Sequence, residues 1–200
     1  MTTQREILIP DAYYHVFNRA VGDDKLFKNE RNDSYFISLC ELKMINCIDI
    51  ISYCLMPNHF HFLIKVKPLK DLCEFFFIED SVTENELGNL ISRRIGNVFN
   101  SYAQAFNKEN KRRGSLFIDR FKRNLITSDN YMRNLILYIH HNPKNANLVK
   151  KLDDWKFSSY KYIISNLPSM VKKEEAILPF EDLENFIFAH QGKPKDLEGF

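Results

Sequence analysis

Two apolar segments separated by a short turn constrain the fold of this chain more than any other feature. The first spans residues 49–55, the second spans residues 59–66, and Pro57-Asn58 lies between them. Both segments are rich in β-branched and aromatic residues, which favour strands, whereas a Pro-Asn pair favours a turn. Because parallel strands need a long crossover connection, this short turn predicts an antiparallel hairpin.

The second segment begins with two histidines on either side of a phenylalanine, His59-Phe60-His61. Alternate side chains of a strand share a face, so the two imidazoles point the same way and Phe60 enters the opposite layer. Such a pair can instead consist of one buried core histidine and one surface histidine. The neighbouring turn leaves this face open at the end of the strand, which favours a divalent cation site.

A helix late in the chain carries a second group of polar side chains. Residues 127–129 offer N-cap oxygens, and we expect the helix to run over residues 130–141 and to end at Asn142-Pro143. Tyr138 and Asn142 are four residues apart and therefore project from the same face. This pattern places a phenol beside an amide carbonyl, with helix C-capping as an alternative role for Asn142.

The other segments alternate between strand and helix patterns. Apolar residues recur at helical intervals in residues 30–44 and 84–107, and aromatic and β-branched residues dominate residues 12–19. We expect residues 116–126 to be extended and residues 67–83 to be irregular. Strands and helices in this order predict an α+β fold, in which helices pack against an antiparallel sheet.

The composition indicates a folded chain without a membrane segment. With 200 residues, 44% hydrophobic residues and 17 phenylalanines, the sequence can bury a substantial core. No apolar run approaches the length of a transmembrane helix, and the first residues lack the apolar core of a secretory signal. The four cysteines lack C-x-x-C spacing, so we expect reduced thiols in a cytoplasmic protein.

Positive charge is concentrated in one part of the chain, although the net charge is only +2. Residues 93–123 contain nine basic and two acidic residues, a net charge of +7. A basic stretch is often only a solvated surface, but its position between the histidine strand and the tyrosine helix favours contact with a DNA backbone. The candidate DNA-binding residues are Arg112, Arg113, Arg120, Lys122 and Arg123. Phe117 and Phe121 either stack on unpaired bases or belong to the core.

Four sequence motifs together resemble one protein family. They are Met-Pro-Asn-His-x-His at residues 56–61, Arg-Phe-Lys-Arg at 120–123, Tyr-Ile-x-x-Asn-Pro at 138–143 and Asp-Trp-Lys-Phe-Ser-Ser-Tyr at 154–160. In this order they resemble the single-tyrosine HUH transposases, in particular the REP-associated tyrosine transposase branch of the IS200-like insertion-sequence transposases. The resemblance spans about residues 13–160. It implies a ferredoxin-like antiparallel sheet, with histidines on a central strand and tyrosine on a following helix.

The resemblance also implies a reaction and a set of site residues. Tyr138 is the implied nucleophile, which cleaves hairpin-forming single-stranded DNA and leaves a 5′-phosphotyrosine link and a free 3′ hydroxyl. The implied ligands of Mg²⁺ or Mn²⁺ are His59, His61 and Asn142. Tyr131, near the start of the same helix, is the rival nucleophile, and His141 is the rival ligand. The family also implies a homodimer, with or without exchange of the tyrosine helix.

The domain organisation and the biological role leave alternatives open. We expect residues 1–150 to form the HUH catalytic domain and residues 151–200 to form a C-terminal extension, in which an apolar patch at residues 183–189 suits a short helix. The expected function is a DNA strand transferase, that is, a transposase. One alternative is a domesticated protein that binds or nicks hairpin DNA without transposition. Another is a replication initiator or relaxase, which the short chain disfavours.

Overall fold

Four strands and seven α-helices form residues 6–192, the part of the chain that the computed structural model describes. The strands are β1 (Tyr13–Arg19), β2 (Ile48–Met56), β3 (His59–Val66) and β4 (Lys122–Leu125). The helices are α1 (Glu30–Lys43), α2 (Leu69–Phe76), α3 (Glu84–Glu109), α4 (Asp129–Asn145), α5 (Tyr160–Ile163), α6 (Lys173–Ile177) and α7 (Leu183–Gln191). Two short 3₁₀ helices span Leu152–Asp154 and Leu178–Phe180.

The strands form one antiparallel sheet in the order β2-β3-β1-β4. The central strands are β1 and β3, while α1 connects β1 to β2 and α3 lies in the connection from β3 to β4. This is the ferredoxin-like arrangement, and it confirms the predicted α+β fold. The β2–β3 hairpin also forms as predicted, with Pro57-Asn58 as its turn.

One face of the sheet packs against α1 and α3 through aromatic side chains. Between ring centroids, Phe60 of β3 lies 5.2 Å from Phe36 of α1 and 5.0 Å from Phe99 of α3. All three side chains are buried. Burying one such ring contributes about 1.5–3 kcal/mol, so Phe60 fixes which way β3 faces. The alternation of a strand then directs His59 and His61 to the opposite face.

The opposite face is covered by α4, which continues further than the sequence predicts. The helix spans Asp129–Asn145 and passes through Pro143. The predicted end at Asn142-Pro143 is therefore wrong, and Asn142 is not the C-cap. The chain leaves the helix after Ala146, because Asn147 adopts a left-handed conformation with φ 56° that closes the last turn.

Two further segments differ from the sequence-based expectation. Residues 67–83, predicted to be irregular, contain α2, which buries Leu72 and ends at Phe77 in a left-handed conformation with φ 55°. Within residues 116–126, only Lys122–Leu125 forms a strand. The preceding residues do not alternate in and out, because the adjacent Leu116 and Phe117 are both buried, at 1% and 8% exposure. Phe121 also turns into the core, at 7% exposure. Both rings therefore pack as core residues.

The C-terminal part covers the outer edge of β2. Leu55 N–H donates to Phe157 O, and Ser159 N–H donates to Tyr53 O, both at 2.9 Å. The indole of Trp155 donates to Leu55 O, also at 2.9 Å. These bonds occupy backbone groups that an edge strand otherwise leaves open for association with another chain.

A short helix forms at the apolar patch of residues 183–189, where α7 spans Leu183–Gln191. The end of the predicted extension, residues 193–200, lies outside the described residues. Among residues 6–192, no helix combines the length and the apolar character needed to span a bilayer.

Candidate active site

β3 presents His59 and His61 on the face of the sheet that α4 covers. The strand register pairs His61 with Phe17 of β1 and pairs His59 with Arg19 of the same strand. His61 is 5% exposed, whereas His59 is partly exposed beside the hairpin turn. The two imidazoles thus share a face at one end of the sheet, with His59 towards solvent.

α4 brings Tyr138 to this histidine pair within one chain. The centroid of the Tyr138 ring lies 5.3 Å from that of His61, and the ring planes are inclined at 78°. The rings of His59 and His61 are 5.1 Å apart and are inclined at the same angle. A phenol and two imidazoles that are distant in sequence therefore meet at one place.

The rings around the candidate metal site are held by local hydrogen bonds. His59 Nδ1–H donates to Asn58 Oδ1 at 2.7 Å, so its Nε2 keeps a lone pair. That Nε2 faces Asn142 Oδ1 at 3.5 Å. The Asn142 amide is oriented because its Nδ2 donates to Tyr138 O at 3.1 Å. Two acceptor atoms therefore face each other, an arrangement that a shared cation stabilises.

This donor set fits a divalent cation. Two ligand atoms about 2.1 Å from one ion lie about 3.0–3.4 Å apart in octahedral or tetrahedral geometry. The observed separation of 3.5 Å between the His59 nitrogen and the Asn142 oxygen is close to this range. Within residues 6–192, no three or more histidine, cysteine, aspartate or glutamate side chains cluster as a metal site. The candidate site contains only two such side chains, because its third donor is the amide oxygen of Asn142.

His15 of β1 orients His61 and is a site residue that the sequence analysis missed. His15 Nε2 lies 2.9 Å from His61 Nδ1, and the His15 side chain is fully buried. When His61 offers Nε2 as a ligand, its Nδ1–H donates to His15, which fixes both the tautomer and the ring position. The sequence contains the histidine, but only the strand register brings it beside His61.

Burial keeps these imidazoles neutral near physiological pH. Desolvation lowers the pKa of His15 to about 3 and lowers the pKa of His61 well below its ordinary value. Desolvation also lowers the pKa of His59. Because metal ions bind the neutral imidazole, the site does not have to lose protons before it binds a cation.

The Tyr138 hydroxyl is protonated near neutral pH. Burial raises the pKa of Tyr138 above 10.0, and a hydrogen bond with the Asn142 side chain opposes this shift. A phenol with a raised pKa attacks poorly unless a cation or a base assists it. The side-chain amide of Asn142, which faces His59, therefore also contacts Tyr138, the candidate nucleophile.

The two rival residues of α4 have other surroundings. Tyr131 precedes Tyr138 by about 10 Å along the helix axis, and its hydroxyl bonds to Asn124 of β4. His141 is 2% exposed and stacks on His190 of α7, with 6.1 Å between ring centroids. Neither rival takes part in the contacts that join Tyr138 to the histidine pair.

The five predicted DNA-binding residues differ in their contacts. Arg112 forms an ion pair with Asp24. Arg123 donates to Ser92 Oγ at 2.5 Å, so part of its hydrogen-bonding capacity is used inside the protein. The exposed members of the set are Arg113, Arg120 and Lys122. Among residues 6–192, no hydrogen bond or ion pair engages these three side chains, so they are available to meet a phosphate.

A cation beside the histidines was not predicted from the sequence. Arg19 is exposed and lies opposite His59 in the β1–β3 pairing. Desolvation is the main cause that lowers the pKa of His59, and the positive charge of Arg19 lowers it further. Residues directly opposite each other on neighbouring strands share a face, so Arg19 lies on the same side of the sheet as the histidine pair.

Comparison with known proteins gives the family. The model of the family described as "Transposase IS200 like" matches residues 9–142, more than half of the chain. This chain is similar to one solved structure, that of a REP-associated tyrosine transposase bound to a REP hairpin. The alignment covers 85% of this chain and 90% of the transposase chain, with a TM-score of 0.59 and 16% sequence identity. This likeness shows a shared fold. The curated proteins contain no significant match. By the extent of the family match, the chain belongs to the IS200-like transposase family.

Proposed function

We propose that this protein is a metal-dependent DNA strand transferase that cleaves and rejoins hairpin-forming single-stranded DNA through a 5′-phosphotyrosine at Tyr138. The observation that carries the proposal is the placement of Tyr138 5.3 Å from His61 in the same chain. The facing donor atoms of His59 and Asn142 support it. A nucleophile, a ligand set and a neighbouring cation then occupy one surface.

In the proposed step, the phenolic oxygen of Tyr138 attacks the scissile phosphorus. The bond from this oxygen to phosphorus forms, the bond from phosphorus to the 3′ oxygen breaks, the phenol releases its proton and the 3′ oxygen takes one up. When bound, Mg²⁺ or Mn²⁺ supplies charge neutralisation at the phosphate oxygens. Arg19 is placed to hold a non-bridging oxygen. Attack by another 3′ hydroxyl on the phosphotyrosine reverses the step, so rejoining needs no ATP.

Two considerations support DNA hairpins as the substrate. The similar solved transposase is bound to a REP hairpin. In this chain, the exposed Arg113, Arg120 and Lys122 supply positive charge to meet phosphates. A homodimer is proposed from the family resemblance, and we propose assembly in cis because Tyr138 meets the histidines of its own chain.

The proposal is tested by trapping the covalent complex. Purified protein is incubated with Mn²⁺ and end-labelled single-stranded hairpins that carry repeats from the DNA flanking the gene. We expect a labelled adduct that survives denaturation, lost in Tyr138→Phe and retained in Tyr131→Phe. The Tyr131 variant is the matched control, because both tyrosines lie on α4 and are half-buried. An adduct that persists in Tyr138→Phe would overturn the assignment.

A further inference from the structure

A large groove runs between α3 and residues 114–121, and Arg120, one of the residues proposed to meet phosphates, lies in its wall. Its volume is about 1220 Å³, with Phe99, Phe117 and Phe121 among its lining residues. Pockets for small molecules typically measure about 300–1,000 Å³. The size of this groove therefore suits a segment of a polymer better than a single small ligand.

One side of the groove is a row of amide side chains. Together with Arg93, they project from α3 at intervals of three or four residues and therefore form one stripe. The row consists of Asn85, Asn89, Asn97, Asn100 and Gln104, all of which line the groove and are exposed. Arg93 stands in the same row. Each amide offers both a donor and an acceptor to a ligand.

This row is not explained by the stability of the helix. Asparagine is a weaker helix former than the lysine, glutamate or alanine that an exposed helix face usually carries. Gly96 lines the same groove, and a Cβ added to it would meet no atom within 4 Å. A mid-helix glycine with open space above it leaves room for a ligand to approach the backbone closely.

The charge of the lining suits bases with a few flanking phosphates. Arg93 and Arg120 are exposed at the groove, and Asp119 is the single acidic residue that lines it in the described part of the chain. Amides outnumber these cations, so most of the lining meets neutral hydrogen-bonding groups. The wall of the groove also contacts the end of β1, because Ile118 N–H donates to Arg19 O at 3.1 Å.

We propose that this groove, which we call the amide groove, binds the bases of a single DNA strand and prefers adenine. Asparagine and glutamine pair with the donor and acceptor edge of adenine through two hydrogen bonds. A single strand is the proposed ligand because residues 114–121 form the wall opposite the amide row, so the row faces a groove and not an open surface that a duplex could cover. The inference rests on the proposed function for its ligand, DNA, and assigns the base-reading role to Asn97, Asn100 and Gln104.

The test measures binding without cleavage. Fluorescein-labelled oligo(dA), oligo(dC) and oligo(dT) of about twelve nucleotides are titrated with the Tyr138→Phe protein, and anisotropy gives the Kd. This length exceeds the amide row, which spans about 29 Å from Asn85 to Gln104 at about 1.5 Å per residue. We expect oligo(dA) to bind about fivefold or more tighter than oligo(dC), a ratio that salt leaves unchanged because phosphate contacts are common to all three.

Variants locate the preference. Asn97→Ala/Asn100→Ala is expected to bring the ratio of the oligo(dA) and oligo(dC) dissociation constants close to one. The control Asn46→Ala, an exposed asparagine between α1 and β2, should keep the ratio. The annealed oligo(dA)–oligo(dT) duplex is titrated in the same way. Equal affinity for the three oligonucleotides, tighter binding of this duplex than of oligo(dA), or a preference that survives the double substitution would overturn the inference. The adduct assay stands apart, since adduct formation without an adenine preference rejects the amide groove alone.

Discussion

At the scale of single residues, the proposed metal ligands are oriented by side chains that are not themselves proposed ligands. His61 Nδ1–H donates to His15 Nε2 at 2.9 Å, and His59 Nδ1–H donates to Asn58 Oδ1 at 2.7 Å. Each ring is thereby turned so that Nε2 is the available ligand atom. The motif at residues 56–61 was sufficient to find His59 and His61, and it contains Asn58. It could not reveal His15, because that contact depends on the register between two separate strands.

Replacing His15 tests this account of ring orientation. His15→Ala removes the acceptor for His61 Nδ1–H and is expected to weaken Mn²⁺ binding by about 10–100-fold, measured by calorimetry without DNA. His15→Gln keeps a side-chain oxygen in this position and should recover a large part of the affinity. Equal affinity in wild type and His15→Ala would contradict the positioning role.

At the scale of elements, α4 is attached to α7 and β2 through a chain of buried polar groups. His190 Nδ1–H donates to Phe186 O at 2.7 Å, which leaves His190 Nε2 to accept from His140 Nδ1–H at 2.8 Å. Ser159 then donates to His140 Nε2 at 2.7 Å. Because a carbonyl only accepts, the direction of every bond in this chain is fixed. The helix that carries Tyr138 is therefore tied to the C-terminal part.

Loss of His190 should loosen this attachment. His190→Ala leaves the buried His140 donor without its acceptor and creates a cavity, so we expect the free energy of unfolding to fall by about 2–3 kcal/mol. Phe188 lies on the same helix and is 73% exposed, so Phe188→Ala should change the free energy of unfolding by less than about 0.5 kcal/mol. Urea denaturation compares the two, and equal small losses would contradict the account.

Two glycines of α3 should respond to alanine in opposite directions. At Gly96 the added Cβ meets nothing within 4 Å, so Gly96→Ala should stabilise the fold by about 1 kcal/mol. At Gly88 the Cβ would lie 2.6 Å from Ile7 Cγ2 and 3.1 Å from Leu8 O, so Gly88→Ala should destabilise it. Thermal unfolding measures both, and a destabilised Gly96→Ala protein would show that Gly96 has a packing role.

The sequence predicted elements well where one pattern dominated and poorly where two signals competed. β3 has the predicted bounds because alternation and the Pro57-Asn58 turn agree. The end of α4 was misplaced because Asn142-Pro143 and Asn147 both resemble stop signals, and only the second adopts the left-handed conformation. The short helix α2 was missed because acidic residues and a run of phenylalanines obscure its period.

At the scale of the whole molecule, stability should depend on the protonation of a buried acid. Burial raises the pKa of Asp33 from 3.8 to about 7, and the residue is 6% exposed. The folded state therefore favours the protonated carboxyl, and this contribution is present below pH 3.8 and is lost as the pH rises through about 7. Asp33→Asn should therefore be more stable than wild type at pH 8, by about 2 kcal/mol, with a smaller difference at pH 5. Chemical denaturation at both pH values measures this, and a pH-independent difference would contradict it.

The candidate active site depends on the packing of the whole molecule. The fold brings β1, β3 and α4 together so that Tyr138, His61 and Arg19 occupy one end of the sheet. Sequence motifs indicated the proposed nucleophile and the proposed ligands, but the position of Arg19 beside them and the amide groove arise only from packing. The net charge of +2 gave no indication of either, because their residues come from distant parts of the chain.

The most direct measurement is the identification of the residue that carries the DNA. Trypsin cleaves after Arg123, Arg133 and Lys144, so it places Tyr131 and Tyr138 in different peptides. After nuclease digestion of the adduct, mass spectrometry is expected to find the nucleotide phosphate on Tyr138, in the peptide of residues 134–144. The phosphate on Tyr131, in the peptide of residues 124–133, or on any other residue, would contradict the proposed active site.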